Sequence, residues 1–179
     1  MHPMVYFLIN EMDANRDPEK AKNMQAYMKT DQPFYGIQAK PRREIFRRAK
    51  SQFKLRSREE YEQVIRALWT GTHREEMYLA LEIAEHYKQY RDRKAMPLFE
   101  YLADTATNWD TLDWIAGKLI SDLVYRYRQF EKKMVKWRTD KNKWMRRTSL
   151  LAHKGHKDET NKTLLAETII LLSPEKEFF

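Results

Sequence analysis

The stretch SREEYEQVIRALWTGTHREEMYLALEIAEHYKQY, residues 57–90, consists of two helical patterns and a short link. Ser57 heads the first pattern with Glu60 three residues on. This is the capping-box spacing, in which a hydroxyl and a carboxylate satisfy the first backbone N–H groups of a helix. THREEMYLALEIAEHYKQY follows with the same periodicity. Each helix has one apolar face and cannot bury it alone, so neighbours must stack as antiparallel pairs.

The same pattern extends in both directions. DPEKAKNMQAYM opens with Asp17 as cap and Pro18 at the first helical position. DQPFYGIQAKP reads as a loop broken by Pro33 and Gly36, before PRREIFRRAKSQF resumes a helix. AMPLFEYLADTA, the segment starting NWDTLDWIAG, RQFEKKMVKWRTD, KNKWMRRTSLLAHKG and ETNKTLLAETIILL complete the set. About ten helices of roughly ten to eighteen residues result, with no strand signals. The fold class expected is all-α, a helical-repeat array or a compact bundle, in one domain spanning 1–179. No repeat of fixed period is visible, and degenerate repeats of the HEAT type are often this hard to see. The final SPEKEFF reads as the opening of another helix, with Ser173 as cap, Pro174 first and Glu177 completing the turn. A chain that stops there is expected to be C-terminally truncated.

Composition narrows the function. The chain has no Cys, which removes disulfides, cysteine zinc sites, iron–sulfur clusters and thiol catalysis, and fits a reducing cytosol. MVYFLI is too short for a signal peptide or membrane span, and no segment approaches twenty apolar residues, so no membrane association is expected. No GxG occurs, which excludes a dinucleotide fingerprint and the helix-hairpin-helix element, and no P-loop is present. The formal net charge is +8, concentrated in two windows. Lys40 to Arg58 holds nine basic residues and one acidic, and Arg126 to Arg147 holds ten basic and two acidic. The rest of the chain is acidic. Such concentration is the footprint of a polyanion-binding surface, although a basic run is also a common solvated helix face.

In NWDTLDWIAG, residues 108–117, Asn108 suits an N-cap and Asp110 the first turn. Leu112, Ile115, Ala116, Leu119 and Leu123 would share the buried face. Trp109, Asp113 and Gly117 form a column on its flank. A carboxylate at that margin is a candidate functional group or the structural partner of a nearby Arg. Trp109 is equally readable as core, and Gly117 as a close helix contact.

Four stretches in order, MHPMVYFLINEMDANRDPEKAKNMQAYMK, FYGIQAKPRREIFR, NWDTLDWI and KWMRRTSLLAHK, resemble the AlkD-type family of DNA alkylation-repair glycosylases. The resemblance runs over nearly the whole chain. It implies a curved solenoid, a superhelix of antiparallel HEAT-like helix pairs, whose concave basic face holds duplex DNA containing alkylated bases. It further implies excision of alkylated purines without metal or other cofactor, by a monomer in a bacterial-type cytosol or nucleoid. The family's Trp and catalytic Asp fall on Trp109 and Asp113, and its active-site Arg, in a W-x-x-R setting, on Arg147. Trp144, Thr148 and Leu151 would make the buried face of that helix, with Arg147 on its flank and Arg146 pointing away. A second cleft Trp of the family lies beyond Phe179.

Purines methylated at N3 or N7 are cationic and leave readily, so one carboxylate can stabilise the oxocarbenium-like sugar and place a water. Asp113 is the candidate, with Trp109 as a π wall and Arg147 gripping a phosphate. Gly117 would leave room for the DNA backbone. Arg42, Arg43, Arg47 and Arg48 are expected at phosphates, with Gln38 a further backbone contact, so binding should weaken steeply with salt. His153 and His156 straddle Gly155 without a third ligand, and no metal is expected. The alternatives are a non-catalytic helical-repeat module that binds damaged or bent DNA, and a protein-binding scaffold. The second explains the helices but not the two basic windows.

Overall fold

A computed structural model describes residues 1–176 and divides into two compact units, Met1–His86 and the chain from Tyr87 on. Every regular element among the described residues is helical, so the all-α expectation holds. No described helix is long and apolar enough to cross a membrane.

The first unit holds α1 (Pro3–Ala14), α2 (Pro18–Met28), α3 (Ala39–Gln52), α4 (Arg58–Trp69) and α5 (Arg74–His86). The starts are set by the expected caps. Asp17 accepts from the Lys20 N–H at 3.0 Å with Pro18 behind it, and Ser57 accepts from the Glu60 N–H at 3.2 Å. The Glu60 carboxylate reaches back to the Arg56 N–H at 2.7 Å, one residue before the cap. The apolar N-terminal segment is one face of α1, where Met4, Val5, Leu8 and Met12 are fully buried. α4 and α5, joined by the short expected link, pack along each other.

Helix α5 departs from the one-apolar-face rule. Arg74, Glu75, Glu76 and Glu82 are buried along with its apolar residues. The three glutamates meet tertiary hydrogen-bond partners. Glu75 accepts three successive backbone N–H groups, from Tyr35 at 3.0 Å and from Gly36 and Ile37 at 2.9 Å. A backbone turned so that consecutive N–H groups converge is an anion-binding nest. Gly36 makes it possible: its φ is +88°, and a Cβ there would come within 2.0 Å of the Asp17 carbonyl oxygen. Glu76 accepts from the Tyr35 hydroxyl at 2.9 Å, and burial together with this bond makes that hydroxyl a weaker acid than usual. The loop read from DQPFYGIQAKP is therefore strapped to the start of α5, and it delivers Gln38 as the N-cap residue of α3.

The second unit holds α6 (Met96–Asp104), α7 (Trp109–Trp114), a π-helical segment (Ile115–Ile120) running directly into α8 (Ser121–Arg126), then α9 (Glu131–Trp137), α10 (Lys143–Leu151) and α11 (Lys162–Leu172). Several are shorter than the ten residues expected. The predicted face is correct: Leu112, Ile115, Ala116, Leu119 and Leu123 are fully buried. The π segment was not readable, since apolar spacing does not report an N–H that bonds five residues back, as Ser121 N–H does to the Ala116 carbonyl. On α10 the buried residues are Met145, Thr148 and Ser149, with Ala152 beyond, whereas Trp144 and Leu151 are half-buried. The face is rotated because α10 packs against α6, α7, α9 and α11 together rather than one neighbour. Ser173 ends α11 instead of capping a new helix, and its hydroxyl donates to the Ile170 carbonyl at 3.0 Å. Glu177 lies outside the described residues.

Replacing Glu75 by Gln keeps the shape but turns an NH2 group toward the nest. Urea unfolding should show a loss of about 2–4 kcal/mol, typical of leaving buried donors without an anion. His153 supplies a second test. It is buried, and neither ring nitrogen has a partner among the described residues, so burial, reinforced by His156, pushes its pKa down to about 4. The folded state thus binds this proton less readily than the unfolded chain. Stability should be full above the ordinary imidazole pKa and fall as pH drops from about 6.5 toward 4. Melting temperatures between pH 7 and 5 should decline less in His153→Leu than in the native protein.

Candidate active site

Asn108 has the extended backbone of an N-cap, and its side-chain oxygen accepts from the Trp109 N–H at 2.8 Å. This starts α7 so that Trp109 occupies the first position, with the residue 40% exposed. Trp109 is therefore not core. One turn on, Asp113 points along the flank of the buried face, toward α10. Both of its oxygens are taken by one guanidinium: Arg147 Nε donates to Oδ1 and Nη2 to Oδ2, each at 2.7 Å. Such a paired contact needs two accepting oxygens and therefore a carboxylate. The Arg147 side chain is 16% exposed and that of Asp113 31%, so the aspartate retains an open edge.

The expected phosphate grip of Arg147 is thus not its contact in the free protein, where Nε and Nη2 face Asp113. Gly117 also differs from expectation. The space beside it holds the Lys154 side chain, whose Cδ would lie 2.9 Å from an added Cβ, so the close-contact reading applies. Arg146 does not point away. Its guanidinium bonds Glu175 through Nε and Nη2 and the Asp140 and Lys141 carbonyls through Nη1. Sequence spacing could not show this, because Glu175 comes from beyond α11. Asn142 completes the fixing of α10. It caps the Trp144 N–H at 2.9 Å while donating to the Asp104 carbonyl at 2.7 Å.

Gln38, Arg43 and Arg47 lie in the first unit. Gln38 makes no side-chain cap bond, and its side chain is exposed. It lines a surface concavity of about 310 Å³ with Asn15, Asp17, Lys20, Glu44 and Arg48. Arg43 is exposed, and Arg47 is exposed and paired with Glu44 at 2.6 and 3.0 Å. Arg42 is not a surface contact. It is buried, pairs with Glu82 at 3.1 Å and stacks its guanidinium over Tyr78. Arg48 pairs with Glu11 at 2.6 Å. The second basic window is likewise partly matched: Arg126, Arg128, Lys133 and Arg138 pair with Asp122, Glu131, Glu100 and Glu167. His153 and His156 are both buried, and among the described residues no group of three or more His, Asp or Glu is placed to hold a metal.

Residues 8–179 match the family described as DNA alkylation repair enzyme. A solved structure titled "Predicted DNA alkylation repair enzyme from Enterococcus faecalis" is similar, with a TM-score of 0.82 and 27% sequence identity over 91% of this chain and 76% of that one. A comparison with curated proteins finds no match. The chain belongs to the DNA alkylation repair enzyme family.

Arg147→Ala removes both bonds to a carboxylate that is only partly exposed in the native pair. The loss of stability should be about 1–3 kcal/mol, between the values for exposed and fully buried pairs, and denaturant titration would measure it.

Proposed function

We propose that this chain is a monofunctional DNA glycosylase that excises cationic alkylated purines of the 3-methyladenine and 7-methylguanine type from duplex DNA. The observation that carries the reading is a fixed carboxylate with one open edge, one helical turn from a half-exposed indole. In a cationic purine nucleotide the C1′–N bond breaks with both electrons going to the base, which leaves neutral. The sugar becomes oxocarbenium-like, and Asp113 opposes that charge across its open edge. A water held by the same carboxylate adds to C1′ and releases a proton, giving the abasic sugar. Trp109 offers a π face to the cationic base or sugar, worth about 0.5–2 kcal/mol. Arg147 orients Asp113 and keeps Nη1 for a phosphate oxygen. Gln38, Arg43 and Arg47 are assigned to the DNA backbone, and neutralising several phosphates makes binding salt-sensitive. The working form is a monomer acting in a bacterial-type cytosol or nucleoid, with no metal or cofactor.

A second reading is a DNA-binding module without chemistry. It is favoured by the engagement of both Asp113 oxygens by Arg147, as in a purely structural pair. Release of 7-methylguanine and 3-methyladenine from methylated duplex separates the two. Asp113→Asn should bind DNA like the native protein and lose at least about a hundredfold in excision, the usual cost of removing a group that stabilises transition-state charge. Excision unchanged in that variant removes Asp113 from the reaction. Binding without release by the native chain selects the module.

A further inference from the structure

Asp113, Gly117 and Ser121, spaced four apart, each meet α10 or the turn that follows it. Asp113 receives Arg147, Gly117 lies under the Lys154 side chain, and the Ser121 hydroxyl donates to the Lys154 carbonyl. His156 Nε2 lies 2.9 Å from the Ser121 carbonyl oxygen. A carbonyl only accepts, so Nε2 carries the proton in this contact. Ser121 and His156 are each only 3% exposed; the bond between them is buried, and the one to the Lys154 carbonyl is part-buried. The clamp sits beyond the π segment from Asp113. A π segment is a wide turn that usually needs outside support, and its return to α geometry would turn Asp113 about the helix axis relative to Ser121 by on the order of tens of degrees. The same α10 that carries Arg147 is thus pinned to α8 on the far side of the wide turn.

We propose that Ser121 and His156 are positioning residues that lock α8 to the turn after α10, hold the π segment in place and so keep Asp113 opposite Arg147. The consequence for catalysis rests on the glycosylase reading; the consequence for the ion pair does not. Nitrogen-15 NMR of the arginine Nε–H groups of the whole chain, with Arg147 assigned by Arg147→Lys, reads the pair directly. The Arg147 Nε–H should be slowly exchanging in the native protein and lost in His156→Leu. It should return in His156→Gln, whose Nε2 donor takes the place of the imidazole nitrogen. Ser121→Ala adds no volume, so it tests the same point if the leucine variant does not fold. An unchanged Arg147 signal in His156→Leu or Ser121→Ala overturns the proposal.

Excision gives the second readout. Misplacing a catalytic group from a distance can cost about a hundredfold, so kcat should fall by about tenfold to a hundredfold with KM and duplex affinity unchanged. Restoration by His156→Gln is expected. A kcat that stays at the native level while the Arg147 signal is lost overturns the link from clamp to chemistry. A native chain that excises nothing rejects the glycosylase reading alone, and the Arg147 signal still decides the clamp.

Discussion

A guanidinium that donates to both oxygens of a carboxylate fixes more than a distance. The planar fit leaves the two groups little freedom to rotate, so the helices carrying them share one register. Asp113 stands at the end of α7 and Arg147 in the middle of α10, and α10 is the helix against which α6, α7, α9 and α11 all pack. The orientation of the carboxylate therefore depends on every contact that fixes α10. Asn142 holds its start to the end of α6, Arg146 ties it to the loop before it and to Glu175, and the turn after it is bonded to Ser121. Several separate attachments give the carboxylate a rigid support.

The first unit also fixes a carboxylate with N–H donors, supplied there by the backbone rather than by a guanidinium. Glu75 is buried and its charge is spread over three backbone N–H groups of the loop before α3. The loop cannot move without uncovering a carboxylate, and desolvating an unpaired charge is costly. Gln38 and the exposed Arg43 follow directly from that loop, so a core interaction sets where the polar surface of α3 begins.

Much of the concentrated positive charge along the chain is spent on internal pairing. Arg42 never reaches the surface, and Arg47, Arg48, Arg126, Arg128, Lys133, Arg138 and Arg146 each meet a carboxylate. Several of those carboxylates lie outside the basic windows. A count along the chain treats charges as isolated when folding has placed their partners beside them. Exposed pairs such as Arg47 with Glu44 contribute little to stability and can exchange partners readily, whereas the buried Arg42–Glu82 pair cannot.

The sequence by itself determined the helical class, the caps at Asp17, Ser57 and Asn108, the loop at Gly36 and the buried face from Leu112 to Leu123. These follow from local chemistry: a side-chain oxygen meets an N–H one to three residues on, a glycine permits positive φ, and apolar spacing repeats with the helical turn. The prominence of Trp109, Asp113 and Arg147 was also legible, through their positions in motifs resembling the family. Only the tertiary structure decided that Arg147 holds Asp113, that Lys154 covers Gly117, that Arg146 turns inward and that a π segment follows the aspartate. Each of these depends on a partner distant in sequence, such as Asp113 for Arg147 and Glu175 for Arg146, or on a hydrogen-bond shift that leaves the apolar pattern intact, and local spacing contains no record of either.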